Sequence, residues 1–269
     1  MRWTETAERI GLQREIVDRL LECERKWDAG AFAEDIAALA DPLTAADAYA
    51  KLSEKVAPDP GNIRMLLCEL TAAARNWENY RALGIPERIY TDTMGFFRRV
   101  LEEAKIYSGA YTVDRVFWGW RQSSMTIFRL GALEFEMKRA EHTVSIHIPS
   151  DADFSPRSVA ESLRMEREFC KAYLPEMADA RIYCDSWLMS EVLAGLLPED
   201  SNIVRFQRRF DMLEQERETN ACVRWLFKMT ADTPTEQLRE DTSLQRKVKQ
   251  LMLNGGHIGT GRGVLRDDG

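Results

Sequence analysis

Between residues 142 and 173 the chain reads HTVSIHIPSDADFSPRSVAESLRMEREFCKAY, and this stretch limits the possible folds more than any other. Val144, Ile146 and Ile148 alternate with Thr143, Ser145 and His147. That period of two sends one set of side chains to each face of a sheet. Pro149 brings no N–H to a ladder and ends the strand. The loop SDADFSPRS is dense in Ser and Asp, whose side chains close turns on their own backbone. Ser155 is placed to cap a helix, with Pro156 at its first position. Leu163, Met165, Phe169 and Tyr173 then give that helix a broad apolar side. A strand, a polar loop and a helix N-terminus in succession suit an anionic group, because the first helical N–H groups lack intrahelical partners.

Upstream, the apolar spacing is helical. Leu12, Ile16 and Leu20 predict a helix within residues 4–27, which Gly30 ends. Further helices are expected around Phe32, Ile36 and Leu39, from Thr44 to about Val56, from Ile63 through Trp77, and from Thr91 to Lys105. Strand signals begin beyond Gly109. Two runs, 125–130 and 132–137, flank Gly131; RIYCDSW and ACVRWLFKM (221–229) also look like strands. Short helices are expected from Ser190 and from Thr242-Ser243. SNIVRFQRRFDMLEQE fits helix or strand. The tail GGHIGTGRGVLRDDG is too rich in glycine for a helix and suggests an edge strand or a mobile end. It lacks the Lys-Ser/Thr of a phosphate-binding P-loop. Strands interleaved with helices imply an α/β or α+β class, with a helical N-terminal domain over residues 1–108 packed on a sheet domain flanked by helices over 109–269.

A net charge of −7 argues against a general nucleic-acid binder. The cysteines, an odd five, are scattered without a CxxC pair, which fits reduced thiols in a cytoplasm and no metal cluster. Neither a signal peptide nor a membrane-length apolar run is evident, so a cytoplasmic protein without a membrane partner is expected.

Several motifs in order, FRLGALEFE (128–136), SIHIPSD (145–151), SWLM (186–189), LLPEDSNIVRFQRRF (196–210) and TSLQRKV (242–248), resemble a bacterial family of acyltransferase-domain proteins. That family joins a helical N-terminal domain to a C-terminal domain similar to the GNAT (N-acetyltransferase) superfamily. The resemblance runs from about Thr91 onward. It implies an acyl-CoA or acetyl-CoA donor lying in the V between a central strand, here SIHIPS, and a splayed one, here RIYCDSW. It also implies a small-molecule amine or hydroxyl acceptor. The sequence departs from the superfamily at the phosphate loop. In place of the usual Q/R-x-x-G-x-G/A stands a glycine-free loop with Asp151 and Asp153, which would repel a pyrophosphate unless turned away. Contacts to CoA are then expected from Ile146, Ile148, Ser150, Ser155, Arg157 and Ser158.

His147 is a candidate general base; the plainer alternative is a hydrogen-bonded polar residue on a covered face. In GNAT-like chemistry Asp185 would be the base and Tyr183 the acid, both on one strand face. Cys184 with His147 would make an acyl-enzyme variant, although a small buried core residue is the commoner fate of a cysteine. Glu134 and Glu136 share a strand face and could orient an amine or serve as base, where a merely solvated face is more usual. Arg121, Arg129 and His142 are weaker candidates for meeting an anion. The leading expectation is an N-acyltransferase. The alternative is a non-catalytic GNAT-like module that binds a metabolite or protein in the same cleft.

Overall fold

A computed structural model describes residues 1–266 of the chain. Its contacts group into two units, Met1–Leu130 and Gly131–Gly269.

The first unit is helical: α1 (Trp3–Arg9), α2 (Arg14–Lys26), α3 (Ala33–Ala40), α4 (Ala45–Lys55), α5 (Ile63–Ala82), α6 (Glu87–Ser108) and α7 (Val116–Ser123), ending on a short strand β1 (Ile127–Leu130). The single helix expected over 4–27 is two, broken at Gly11, whose φ of +63° suits glycine. Residue 108 marks the end of α6, and the unit continues through α7, which packs on α5, and β1, which packs on α6. Helix α5 is the axis of this unit, burying Met65, Leu66, Leu70 and Tyr80. Asn76, on α5 and 1 % exposed, donates through Nδ2 to the carbonyls of Ala40 and Ser123, each at 2.7 Å. Those carbonyls end α3 and α7. One amide therefore satisfies two helix C-termini that would otherwise be orphaned in the core.

The second unit runs β2 (Leu133–Lys138), β3 (Thr143–His147), α8 (Pro156–Tyr173), β4 (Arg181–Ser186), α9 (Glu191–Leu196), α10 (Asn202–Gln207), β5 (Phe210–Glu216), α11 (Ser243–Leu253) and β6 (Thr260–Leu265). Within it the strands lie in the order β2-β3-β4-β6-β5. The β3–β4 pair is parallel and the other pairs are antiparallel. A parallel pair needs a crossover, and α8 supplies it. Phe135, Met137, Val144, Ile146 and Cys184 form a buried apolar face. Helix α8 packs against β2, with Cys170 Sγ 3.9 Å from Met137 Sδ. Each of these larger side chains contributes on the order of 1.5–3 kcal/mol by leaving water. Gly131 has φ +70°, and a Cβ there would lie 2.7 Å from Ser162 Oγ. The same hydroxyl accepts the Ala132 N–H at 2.8 Å, so α8 closes directly onto the start of β2.

Two expectations change and one open reading is resolved. The run 221–229 is not a strand: Val223–Phe227 form one wide helical turn. Cys222, Val223 and Phe227 enter the core with Leu193, Leu238, Val248 and Ile258, a near-helical spacing that the apparent alternation concealed. The ambiguous 201–216 stretch is helix α10, capped by Ser201, followed by strand β5. The glycine-rich tail supplies an internal strand, since β6 pairs with β4 on one side and β5 on the other. At Gly261 a Cβ would meet Met189 O at 2.4 Å, so the glycine permits this close insertion. Asp267, Asp268 and Gly269 of that tail lie outside the described residues.

Candidate active site

The β3–β4 ladder is the centre of the second unit. Its rungs run from Thr143↔Arg181 to Ile146↔Cys184 and stop there. Beyond that rung β4 continues through Asp185 and Ser186, which pair with Arg262 and Gly261 of β6. His147 is the last residue of β3 and lies past the last rung. Pro149 follows at once and has no N–H with which to extend the ladder. Two parallel strands thus part at a defined point, and a loop and the N-terminus of α8 follow it.

Strand parity sorts the site residues. Ser145 lies across from Tyr183, and Glu134 across from His147. Glu134, Glu136, Ser145, His147, Tyr183 and Asp185 therefore share one face. Glu134 and Glu136 are 4 % and 7 % exposed, so this is not the solvated face that paired carboxylates usually mark. His147 Nε2 lies 2.7 Å from Glu136 Oε2. Tyr183 is half-buried, and the Arg262 guanidinium stands 5.0 Å from its ring centroid. Asp185 is exposed.

Cys184 belongs to the other face. It lies across from Ile146 and is 0 % exposed, with burial pushing its thiol up. Strand parity therefore sets Cys184 and His147 on opposite faces of the sheet, and burial disfavours the thiolate that an acyl-enzyme route through Cys184 would need. All five cysteines are free, and among the described residues no group of three His, Cys, Asp or Glu side chains gathers around one point.

The loop before α8 is organised by Asp153. Its carboxylate accepts the Ser155 N–H at 2.9 Å, the Ser155 hydroxyl at 3.0 Å and the Ser158 hydroxyl. The Ser158 bond, followed by those of Ser155, holds the Asp153 carboxyl below its ordinary range. Ser155 is the N-cap, accepting the Ser158 N–H, and Pro156 sits in the first turn as expected. Asp153 is thus turned into the helix N-terminus, where a negative charge is favourable. In this turn Pro156 lacks an N–H, the Ser158 N–H is engaged by Ser155, and Arg157 is exposed. Ile148 is half-buried at the open end of β3, and Ser150 is exposed in the loop.

The weaker candidates make contacts of their own. Arg121 stacks over Trp118 and Trp120 at 4.1 and 4.3 Å in the helical unit. His142 Nε2 lies 3.0 Å from Asp179 at an exposed turn. Arg129 gives its backbone N–H to Thr93. Arg262 was hidden from sequence reading because its strand lies in a glycine-rich tail; its alternation with Gly261 and Gly263 was the available signal.

Comparison with known proteins agrees with this architecture. The model of a GNAT-like C-terminal domain matches residues 127–265, and that of an N-acyltransferase N-terminal domain matches residues 1–125. No protein of curated function matches. Among solved structures, an acyltransferase in complex with decanoyl-CoA and teicoplanin is similar over 98 % of this chain and 99 % of its own, at 19 % identity and a TM-score of 0.68. An acyltransferase mutant in complex with octanoyl-CoA is similar over 99 % of both chains, at 17 % identity and a TM-score of 0.69. Identities this low establish a shared fold.

Proposed function

Since the chain belongs to the GNAT-like C-terminal domain family, we propose that it is an acyltransferase moving an acyl group from acyl-CoA to the amine of a small-molecule acceptor. The observation that carries this reading is the end of the β3–β4 ladder at Ile146↔Cys184, with His147 just beyond it and α8 following. Parted parallel strands would leave backbone groups beyond the last rung for a thioester, and in this reading the Ile148 N–H would bind its carbonyl oxygen as charge develops there. The backbone of Ile146 and the half-buried Ile148 would flank the pantetheine arm. Arg157 and Ser150 would meet the phosphates near the start of α8; Ser155 and Ser158 would join them only by releasing Asp153, which holds both hydroxyls. The bound decanoyl- and octanoyl-CoA of the similar structures make medium-chain donors the first to try.

In this reading His147 takes the proton from the acceptor nitrogen as the C–N bond forms, and Tyr183 gives a proton to the sulfur as the C–S bond breaks. The products are an amide and free CoA. Asp185, exposed on the same face, would attract a cationic amine, and buried Glu134 would shape the pocket beside His147. The alternative of a non-catalytic module has no observation of its own in its favour.

The test is a thermal-shift titration with CoA, acetyl-CoA, octanoyl-CoA and decanoyl-CoA, with ATP as an anion control. Saturation at one hundred times the dissociation constant stabilises by about 2.7 kcal/mol, a shift of several degrees. A saturable shift with acyl-CoA that exceeds the ATP shift, and an at least ~100-fold loss of turnover in His147→Gln with unchanged melting, are the expected results. No shift at millimolar acyl-CoA would remove CoA as the donor carrier.

A further inference from the structure

We infer that Glu136 is the positioning residue for His147: its carboxylate accepts the imidazole Nε2–H and holds the ring in one tautomer, with the basic lone pair on Nδ1. The catalytic consequence rests on the reading of His147 as the base for acyl transfer; the tautomer itself does not.

The geometry sets this contact apart. Glu134, not Glu136, is the direct cross-strand partner of His147. Direct partners are the closer pair on an antiparallel face, and the diagonal neighbour is the longer reach. The ring nonetheless meets Glu136, at 2.7 Å, because the residue directly across from Glu136 is Ser145, whose small side chain leaves room over its own position. The imidazole therefore leans back along β3, toward the part still paired with β4. Both side chains are sheltered, His147 at 21 % exposure and Glu136 at 10 %. The other His–carboxylate contact, His142 with Asp179, has side chains 52 % and 87 % exposed, where solvent screens the interaction. A sheltered carboxylate is a pure acceptor, so the ring nitrogen facing it must carry the hydrogen. A neutral imidazole has one N–H, and fixing it at Nε2 leaves Nδ1 as the site that takes up a proton. A carboxylate behind the ring also stabilises the imidazolium formed when that proton arrives.

The chain has three histidines, so long-range 1H–15N correlation spectra of 15N-histidine-labelled protein resolve each ring. Assignment uses His147→Gln. The expected wild-type signature for neutral His147 is a single Nε2–H tautomer. In Glu136→Gln the amide oxygen can still accept and the signature persists; in Glu136→Leu it becomes a mixture. With an acyl-CoA and an accepted amine, kcat should fall roughly tenfold or more in Glu136→Leu, with KM within about threefold, and recover in part in Glu136→Gln. An Nδ1–H tautomer in the wild type, or an unchanged tautomer in folded Glu136→Leu, overturns the inference. If the tautomer responds as expected while Glu136→Leu and His147→Gln both keep full turnover, the positioning by Glu136 stands and the assignment of His147 as base falls.

Discussion

Ile146 and Cys184 face each other on the last rung of the parallel β3–β4 ladder. Everything at the candidate site is counted from that rung. One residue further along β3 is His147, on the polar face; one further along β4 is Asp185, on the same face and bonded into the β6 side of the sheet. The rung itself points its side chains into the apolar layer, where Cys184 is wholly buried, which favours a packing role for it.

Cys184→Ala should accordingly retain turnover within about twofold while losing some stability, on the order of 1 kcal/mol for a small buried side chain. The native thiol should also resist alkylation at neutral pH until the protein unfolds, being wholly buried. Fast labelling of native Cys184, or loss of turnover in a normally folded alanine variant, would overturn this assignment.

Arg157 bears on donor binding. It is the exposed cation in the first turn of α8, where Asp153 already occupies the serine hydroxyls. Arg157→Ala should weaken CoA severalfold by calorimetry, and the difference should shrink in 0.5 M salt, roughly, as screening rises. Equal affinities at low salt would place the phosphates elsewhere.

Glu69 predicts a pH dependence in the helical unit. It is 0 % exposed, neither carboxyl oxygen closes a hydrogen bond of ordinary geometry, and burial raises its pKa well above 4.5, with the nearby Trp120 backbone N–H opposing only partly. The folded state therefore holds a proton that the unfolded chain gives up above about pH 4.5. Fewer protons are bound on unfolding, so the stability from this group is complete below that pH and falls as pH rises toward the folded pKa. Glu69→Gln, which cannot ionise, should flatten the decline in Tm between about pH 5 and pH 8 and melt higher than wild type at the upper end, by a few degrees. Parallel Tm–pH curves for the two proteins would exclude a proton held at Glu69.

Asn76→Ala should cost about 2–4 kcal/mol, because it strands the Ala40 and Ser123 carbonyls in the core and leaves a cavity. Urea unfolding measures it. A loss below about 0.5 kcal/mol would mean that water reaches both helix ends.

Local chemistry made much of this protein legible from its sequence. Period-two alternation announced β3, Ser155-Pro156 announced the start of α8, and Thr242 with Gln245 forms the capping box that begins α11. Those signals act within one or two turns of chain, so the sequence carries them whole. The motifs in order carried the family resemblance for the same reason. Tertiary structure decided what depends on distant partners. The 221–229 run turned into a wide helical turn because the core around Leu193 and Val248 takes its side chains at another period. A glycine-rich tail became the strand between β4 and β5 because only glycine fits beside Met189. Glu136, with the same parity as Glu134, became the partner of His147 because a serine across the ladder left space for the ring. Strand register fixes which side chains meet, and register is set by the whole sheet rather than by any one strand.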